Sequence, residues 1–473
     1  MTAAACLWLG LFPLLQGGTY ATLTHDKWIA MLILTGVTFL CFCVDLAVRL
    51  LLRTRRAGGV LSSPAVPAGF ESGADESSSS RAVLSKAGPR RPDLAPFFPA
   101  LLLILWTVLS CLCSAYDPDT WWHGDAARYE GLLSQLCYFA LFTLFFFSRV
   151  SLKPVLLSAA AGAAVFFVIV LQQRGGGNPL NLFPAGRSYA LNPEFQGTVG
   201  NVDMGTGYLL LLAGLFLHGL IRSLSDIRIR LHGRSGAGEA RRRNPLLLLL
   251  YPLILAAALV LTLYLIITMD VQFGMISLAV LFLFTLLGFL PKKLRLPLLI
   301  LLIVLALLVV WFWPGTGGGV WELHEILRGR GRLSFGSNRV AVWLYSFRLA
   351  RDNLFLGGGS GTFASRFNHY LADHGLVIPH EQDGVPLPDY FDSPHSEYIA
   401  QLTDHGLPAL LFFSALLLFA ILRRREGGFP LLTPCSAAVL CYAVQAFFSF
   451  SVCIVAPMFW VILALAAQRQ PAD

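Results

Sequence analysis

Charged residues are scarce in this chain of 473 residues: Asp, Glu, Lys and Arg together make up 13% of it, whereas hydrophobic residues make up 56%. With a mean hydropathy of +0.66, this composition excludes a disordered chain and soluble enzyme folds. A small disulfide scaffold is excluded as well, because only nine cysteines are spread over this length. The composition predicts a multi-pass membrane protein.

Sequence motifs of metal, redox and nucleotide sites are also lacking. Cys41 with Cys43 and Cys111 with Cys113 are spaced CxC without a CxxC partner, which argues against a zinc or redox site. Five histidines lie between residues 369 and 405, but none forms an HExxH pair. The glycine run 357–361 lacks the GK[ST] ending of a phosphate-binding loop and is predicted to be a turn. We expect no metal and no cofactor.

Twelve apolar runs are long enough to cross a bilayer. They lie near residues 3–20, 27–50, 95–115, 131–149, 154–172, 203–221, 245–268, 272–290, 296–313, 397–422, 431–448 and 450–467. The first run is predicted to be a retained helix rather than a cleaved signal, because no Lys or Arg precedes Lys27.

The net charge of +8 comes from basic clusters just beyond apolar runs. These clusters include Arg53, Arg55 and Arg56, then Lys292, Lys293 and Arg295, and Arg423 to Arg425. Such placement is typical of cytoplasmic loops and does not indicate a nucleic-acid surface. We therefore predict an all-α integral membrane protein with about 12 transmembrane helices and both ends in the cytoplasm.

This topology divides the chain into five parts. Residues 1–52 hold helices 1 and 2, residues 53–94 form a flexible cytoplasmic linker rich in Ser, Gly and Pro, and residues 95–313 hold helices 3 to 9. Residues 314–396 form a large extracytoplasmic loop, and residues 397–473 hold helices 10 to 12 and a short cytoplasmic tail. The loop is expected to be partly helical.

Two helices are predicted inside the large loop. Asn338 can cap a helix from Arg339 to Arg351, and a shorter helix follows around Thr362 to Leu371. The loop also carries seven arginines on a side of the membrane where basic residues are normally sparse. They are Arg328, Arg330, Arg332, Arg339, Arg348, Arg351 and Arg366. They indicate either salt bridges within the loop or an anionic ligand.

Three stretches carry a resemblance to a known family. They are NRVAVWLYSFRLARDNLFLGGGSGTF at 338–363, HSEYIAQLTDHGLPALLFF at 395–413 and FQGTVGNVDMGTGYLLLL at 195–212. Together they resemble the O-antigen ligase and polymerase superfamily: a loop arginine opens a helix, a glycine-rich turn follows, and a His-Ser pair precedes a glycine by about ten residues. With the helix count, the resemblance extends over most of the chain except the 53–94 linker.

The resemblance implies a GT-C-like glycosyltransferase of the bacterial inner (cytoplasmic) membrane whose active site, in the large loop, faces the periplasm. Its partners would be an undecaprenyl-diphosphate-linked glycan donor, the bilayer, and an acceptor that is lipid A–core, a growing polysaccharide or a protein. An O-antigen or exopolysaccharide polymerase and a protein oligosaccharyltransferase are therefore alternatives to a ligase. A transporter or flippase is the alternative from another class, but it predicts charges within spans and related halves, which the sequence does not show.

The resemblance also indicates the site residues. His395 and Arg339 are the predicted catalytic residues. The predicted substrate-binding residues are Arg187, Asn201, Arg348, Ser396 and Glu397. An arginine fork and a neutral imidazole can stabilise a departing diphosphate and accept a hydroxyl proton without metal.

Local signals predict where His395 lies. Asp392 or Ser393 can cap a helix beginning at Pro394, which would put His395 in the first turn with a lowered pKa. The chain departs from the family pattern at Gln272-Phe273-Gly274, where many members have Ser-Arg-Gly. Arg187 is the candidate replacement for that arginine. Asp203 stands where the family often has Asn.

Overall fold

The computed structural model describes residues 1–60, 93–232, 245–382, 385–388, 390–422 and 432–468. Most of these residues are helical, and the two small sheets are two-stranded antiparallel hairpins. The chain is an all-α membrane protein. Residues 61–92 of the predicted linker and the basic cluster at 423–425 lie outside the described residues.

The apolar helices follow the apolar runs of the sequence. They are α1 (Thr2–Cys6, continued by a π turn Leu7–Leu11 and a 3₁₀ turn Phe12–Leu14), α2 (Leu23–Val60), α3 (Phe97–Leu112), α5 (Leu132–Phe146), α6 (Leu152–Arg174), α7 (Val202–His232), α8 (Pro245–Met269), α9 (Gln272–Phe289), α10 (Lys292–Trp311), α14 (Glu397–Leu422), α15 (Pro434–Gln445) and α16 (Ala456–Ala467). Within the described residues, seven of them are long and apolar enough to cross a membrane, and the other five are shorter. Each predicted run coincides with a helix.

Short elements connect the apolar helices. They are α4 (Pro118–His123), α11 (Gly319–Leu327), α12 (Arg339–Asp352), α13 (Phe363–Asp373), the hairpin β1 (Phe195–Gln196) with β2 (Gly200–Asn201), and the hairpin β3 (Pro379–Gln382) with β4 (Val385–Pro388). Helices α12 and α13 match the two helices predicted in the large loop. Helix α11 and the second hairpin were not predicted.

Helix α7 forms the centre of the protein. Its apolar window is 78% buried, against 11% for α2 and none for α10. Residues Tyr208 to Ala213 of α7 are buried on every face, and α8 and α15 pack along it. A helix that is apolar all round and surrounded by other helices is a core helix, whereas the exposed apolar faces of α2 and α10 suit contact with lipid.

Helix α14 is broken at Gly406, whose φ of +80° and ψ of 178° lie outside helical values. The break frees backbone groups at the depth of an apolar helix, where each unpaired group costs several kcal/mol. The glycine run pairs with two of the freed carbonyl groups. Gly358 N–H donates to the Thr403 carbonyl at 3.1 Å, and Gly359 N–H donates to the Asp404 carbonyl at 2.8 Å. The run is therefore a turn, as predicted, and its partner is a broken helix.

Side chains and a second loop segment satisfy the remaining groups at the break. Arg366 Nη1 donates to the Thr403 carbonyl at 2.6 Å, and Trp106 Nε1 of α3 donates to the His405 carbonyl at 3.0 Å. On the other side of the break, Leu407 N–H donates to the Leu354 carbonyl at 2.8 Å. These contacts fix the large loop against α3 and α14.

Gly406→Ala should destabilise the protein strongly. A Cβ at this position would lie 2.1 Å from the carbonyl oxygen of Phe355, and the backbone angle disfavours any side chain. We expect a loss of more than about 3 kcal/mol, seen as a lower thermal midpoint of the purified protein in detergent. Gly36→Ala is the matched control because nothing lies within 4 Å of its Cβ position. Equal midpoints for the two variants would contradict this account of the break.

Candidate active site

His395 lies in the segment that leads into α14. The helix begins at Glu397 and not at Pro394, so the prediction that His395 occupies its first turn is wrong. His395 instead has a left-handed backbone with φ of +48°, and its N–H donates to Ser393 Oγ at 3.2 Å. The sequence signal failed because Ser393 forms a local turn with His395 two residues later, a known alternative to capping a helix.

The imidazole of His395 is held by an aromatic neighbour and has a spare nitrogen. Its ring meets the ring of Phe450 edge-on, with 5.4 Å between centroids. Its Nδ1 is buried and has no hydrogen-bond partner among the described residues. A buried nitrogen without a partner is unusual in a native structure and suits contact with a ligand.

The pKa of His395 is lowered to about 4, as the sequence led us to expect, but for other reasons. Burial is the main cause, the positive charges of Arg339 and Arg128 add to it, and Asp392 opposes it. Both effects disfavour the imidazolium ion. At physiological pH the ring is therefore neutral and able to accept a proton.

Arg339 opens α12, as predicted. Its Nη1 donates to the Gly336 carbonyl at 3.1 Å, and its Nη2 lies 3.8 Å from Asp203 Oδ2. Asn338 precedes it in a left-handed conformation without a side-chain bond to the helix end, so the predicted cap is wrong. The Arg339 Nε is buried and has no partner among the described residues. Burial lowers the pKa of this guanidinium, but an arginine remains charged.

Two other helices, α9 and α7, contact Arg339. The ring of Phe273 in α9 lies 5.7 Å from its guanidinium, at the position where the family pattern has an arginine. Asn201 Oδ1 accepts a hydrogen bond from Asp203 N–H at 2.8 Å, which fixes the start of α7 beneath Arg339. Asp203, noted as a departure from the family pattern, therefore supplies a counter-charge.

Helix α12 also links Arg339 to the His395 segment. Trp343, one turn after Arg339, donates from Nε1 to the Pro394 carbonyl at 2.9 Å. The indole packs against Phe447 and Phe448. The two predicted catalytic residues are thus brought to one region by Trp343, a residue for which no role was predicted.

Glu397 and Ser396 are buried at the start of α14. The carboxylate of Glu397 accepts hydrogen bonds from Gln401 Nε2 at 2.9 Å and from Ser451 N–H at 2.7 Å, and its own N–H donates to the Ala446 carbonyl at 2.8 Å. These contacts anchor α14 to the loop between α15 and α16. Since both carboxylate oxygens already have partners, the observed contacts of Glu397 are structural.

Arg187 and Arg348 are both exposed. Arg187 is exposed in the loop before β1, and Arg348 is exposed on α12 with its guanidinium 5.4 Å from the ring of Tyr345. Within the described parts of the chain, no ion pair or hydrogen bond joins either side chain to His395 or Arg339. Their substrate-binding role stays a prediction.

Arg128 is a residue that our reading of the sequence missed. It is 8% exposed in the loop between α4 and α5, and its Nη2 lies 2.6 Å from Asp392 Oδ1. Its guanidinium lies 3.5 Å from the centroid of the Phe450 ring that also contacts His395. The predictions covered the arginines of the large loop and Arg187, and left this loop out. A lone arginine in another predicted extracytoplasmic loop carries the same signal.

A cleft opens beside the His395 segment. It is lined by Asp125, Arg128, Glu130, Gln135, Gly361, Phe363, Ala364, Asp392, Ser393, Pro394, Glu397, Ala400, Gln401, Asp404, His405, Phe450 and Ser451. Burial raises the pKa of Glu130 to about 8, so that this carboxyl group is protonated at neutral pH. The lining combines hydrogen-bond donors and acceptors with two aromatic rings, a composition that suits a polar ligand.

His405 differs from His395 although both lie near the cleft. Its Nε2 pairs with Ser360 Oγ at 2.9 Å and its Nδ1 with Gln401 Oε1 at 3.2 Å. With both nitrogens engaged and 3% of its surface exposed, His405 joins the glycine run to α14. Across the described ranges, no group of three or more His, Cys, Asp or Glu side chains has an arrangement that could hold a metal ion.

Together, the apolar helices and the loop-borne polar site define a multi-pass membrane protein. Residues 257–414 match the family described as O-antigen ligase, and this match confirms the resemblance to the O-antigen ligase and polymerase superfamily. The matched stretch runs from α8 to α14 and includes Arg339, the glycine run and His395. A search of curated proteins finds no match.

Proposed function

We propose that the protein is a glycosyltransferase of the bacterial inner membrane that moves a glycan from undecaprenyl diphosphate to an acceptor at the periplasmic face. The family match supports a ligase or polymerase type of membrane enzyme. The observation that carries the proposal is the pair of unpartnered buried nitrogens, His395 Nδ1 and Arg339 Nε, on segments that Trp343 joins.

His395 acts on the acceptor. Its neutral imidazole accepts the proton of the acceptor hydroxyl while the hydroxyl oxygen bonds to the anomeric carbon of the donor. The bond from that carbon to the phosphate oxygen breaks, and undecaprenyl diphosphate leaves with the bonding electrons. Because the pKa of His395 is held near 4, the ring is neutral across the physiological range, so no bound proton blocks its nitrogen.

Arg339 stabilises the leaving diphosphate. Its guanidinium is partly neutralised by Asp203 at 3.8 Å, which leaves donors for an anionic ligand. The reaction as written needs no metal, because the cation and the proton acceptor are both side chains. Asn201 contributes by fixing Asp203, and Ser396 and Glu397 by fixing the His395 segment.

The proposal includes a topology of twelve transmembrane helices with both ends in the cytoplasm and a GT-C-like arrangement. Residues 314–396 then face the periplasm, on the same side as Arg128 and the β1–β2 hairpin. This assignment places the basic clusters at the ends of α2 and α7 and after α9 in the cytoplasm. It also counts the five shorter apolar helices as full crossings.

Alkaline phosphatase fusions should show this orientation. A fusion near residue 375 is expected to be active and one near residue 75 inactive, because phosphatase folds only outside the cytoplasm. The reverse pattern would contradict the topology.

Loss of Arg339 should abolish function in cells. Deletion of the gene should remove the transferred glycan from lipopolysaccharide, capsule or glycoprotein on gels, and the wild-type gene should restore it. Arg339→Lys should fail to restore it at equal expression, because Lys lacks the bidentate fork. The expected loss of transfer is roughly 10²-fold or more.

Arg332→Lys is the matched control, since Arg332 is exposed in the same loop. It should complement fully. If Arg339→Lys also complements fully, the diphosphate role is wrong. If deletion leaves all three glycan classes unchanged and blocks export of a polysaccharide instead, the transporter class is favoured.

A further inference from the structure

We propose that Arg128 is a positioning residue for His395: through Asp392 and Phe450 it fixes the imidazole and supplies a positive charge beside it. The proposal rests on the proposed role of His395 as the proton acceptor. It assigns a function to the loop between α4 and α5, which lies outside the family match at residues 257–414.

Arg128 is held from two sides. Its Nη2 pairs with Asp392 Oδ1 at 2.6 Å, and its guanidinium lies over the Phe450 ring at 3.5 Å. An ion pair and a stacked aromatic face together fix the plane of an arginine in a way that lysine cannot copy. The Arg128 side chain is 10% exposed, so the guanidinium end of the pair is shielded from solvent, whereas the Asp392 side chain is 35% exposed.

Both partners of Arg128 contact or adjoin His395. Asp392 lies three residues before His395 in the same segment, and Phe450 meets the imidazole edge-on at 5.4 Å. A second contact joins the same two segments: Tyr390 donates from its hydroxyl to Asp125 Oδ2 at 3.2 Å. The loop between α4 and α5 therefore contacts the His395 segment at two points, Asp392 and Tyr390.

The charges around His395 come from three elements. Arg339 faces it from α12, Arg128 from the loop between α4 and α5, and Asp392 from its own segment. In the loop between α15 and α16, the residue that contacts His395 is Phe450, which is uncharged. After burial and Arg339, Arg128 is the next cause that lowers the pKa of His395, and Asp392 opposes them.

Arg128 and Asp392 thus have opposite electrostatic effects on His395, although each removal breaks the same ion pair. Arg128→Gln removes a positive charge and leaves Asp392 unpaired, and both changes favour the imidazolium. Asp392→Asn removes a negative charge and leaves Arg128 unpaired, and both changes disfavour it. If Arg128 and Asp392 had a purely structural role, both substitutions would shift the pKa of His395 in the same direction, toward that of a histidine in water.

Carbethoxylation of histidine by diethyl pyrocarbonate measures this effect directly, because only the neutral imidazole reacts. The full-length protein in detergent micelles is treated over a range of pH, and modification of His395 is read by peptide mass spectrometry. The exposed His369, with 76% of its side chain accessible, serves as the internal reference. Size-exclusion profiles show that each variant remains folded at each pH.

In the wild type, the modification of His395 should be half-maximal near pH 4. Arg128→Gln should raise this midpoint by about one unit or more, a tenfold change in the proton affinity. Asp392→Asn should not raise it, and Arg332→Gln, an exposed control, should leave it unchanged. An unchanged midpoint in Arg128→Gln, or equal rises in Arg128→Gln and Asp392→Asn, would overturn the proposal.

The same variants separate this proposal from the proposed function. The chemical modification needs neither donor nor acceptor, so its outcome tests Arg128 alone. If His395 is the proton acceptor, the acidic limb of the pH profile for glycan transfer should shift to higher pH in Arg128→Gln, by the same amount as the midpoint of modification. A shifted midpoint with an unshifted transfer profile would support Arg128 as a positioning residue and refute His395 as the base.

Discussion

The break of α14 at Gly406 is the constraint on which the rest of the site depends. A helix interrupted beside the apolar core must find partners for its freed backbone groups, and this chain finds them in the glycine run, Arg366 and Trp106. Because those partners belong to the large loop and to α3, satisfying the break also docks the loop. The segment that carries His395 is thereby fixed where the loop joins α14.

The charged groups beside the His395 segment influence the pKa of His395. Arg128, Arg339 and His395 lie close to two carboxylates, Asp392 and Asp203, which belong to different elements. Burial keeps the imidazole neutral, and the positive charges of the two arginines add to this effect. A neutral imidazole close to cations is the combination that the proposed transfer from a diphosphate requires.

Much of this architecture could be predicted from the sequence because it depends on local patterns. The apolar runs predict each apolar helix, and the change from charged to glycine-rich sequence predicts α12 and the turn after it. The same local signals misplaced the start of α14 and the cap at Asn338, because a turn around Ser393 and a left-handed residue compete with helix capping. Arg128 escaped detection since its partner Asp392 is remote in sequence, and only the tertiary fold joins them.

The central claim is that His395 accepts the proton of the acceptor while donor binding depends on other residues. The most direct measurement compares purified wild type and His395→Ala for two quantities: affinity for the lipid-linked donor and the rate of glycan transfer. The account predicts a rate at least roughly 10²-fold lower with donor affinity changed by less than about threefold, and near wild-type behaviour for the exposed His369→Ala. Transfer by His395→Ala at close to the wild-type rate would contradict it.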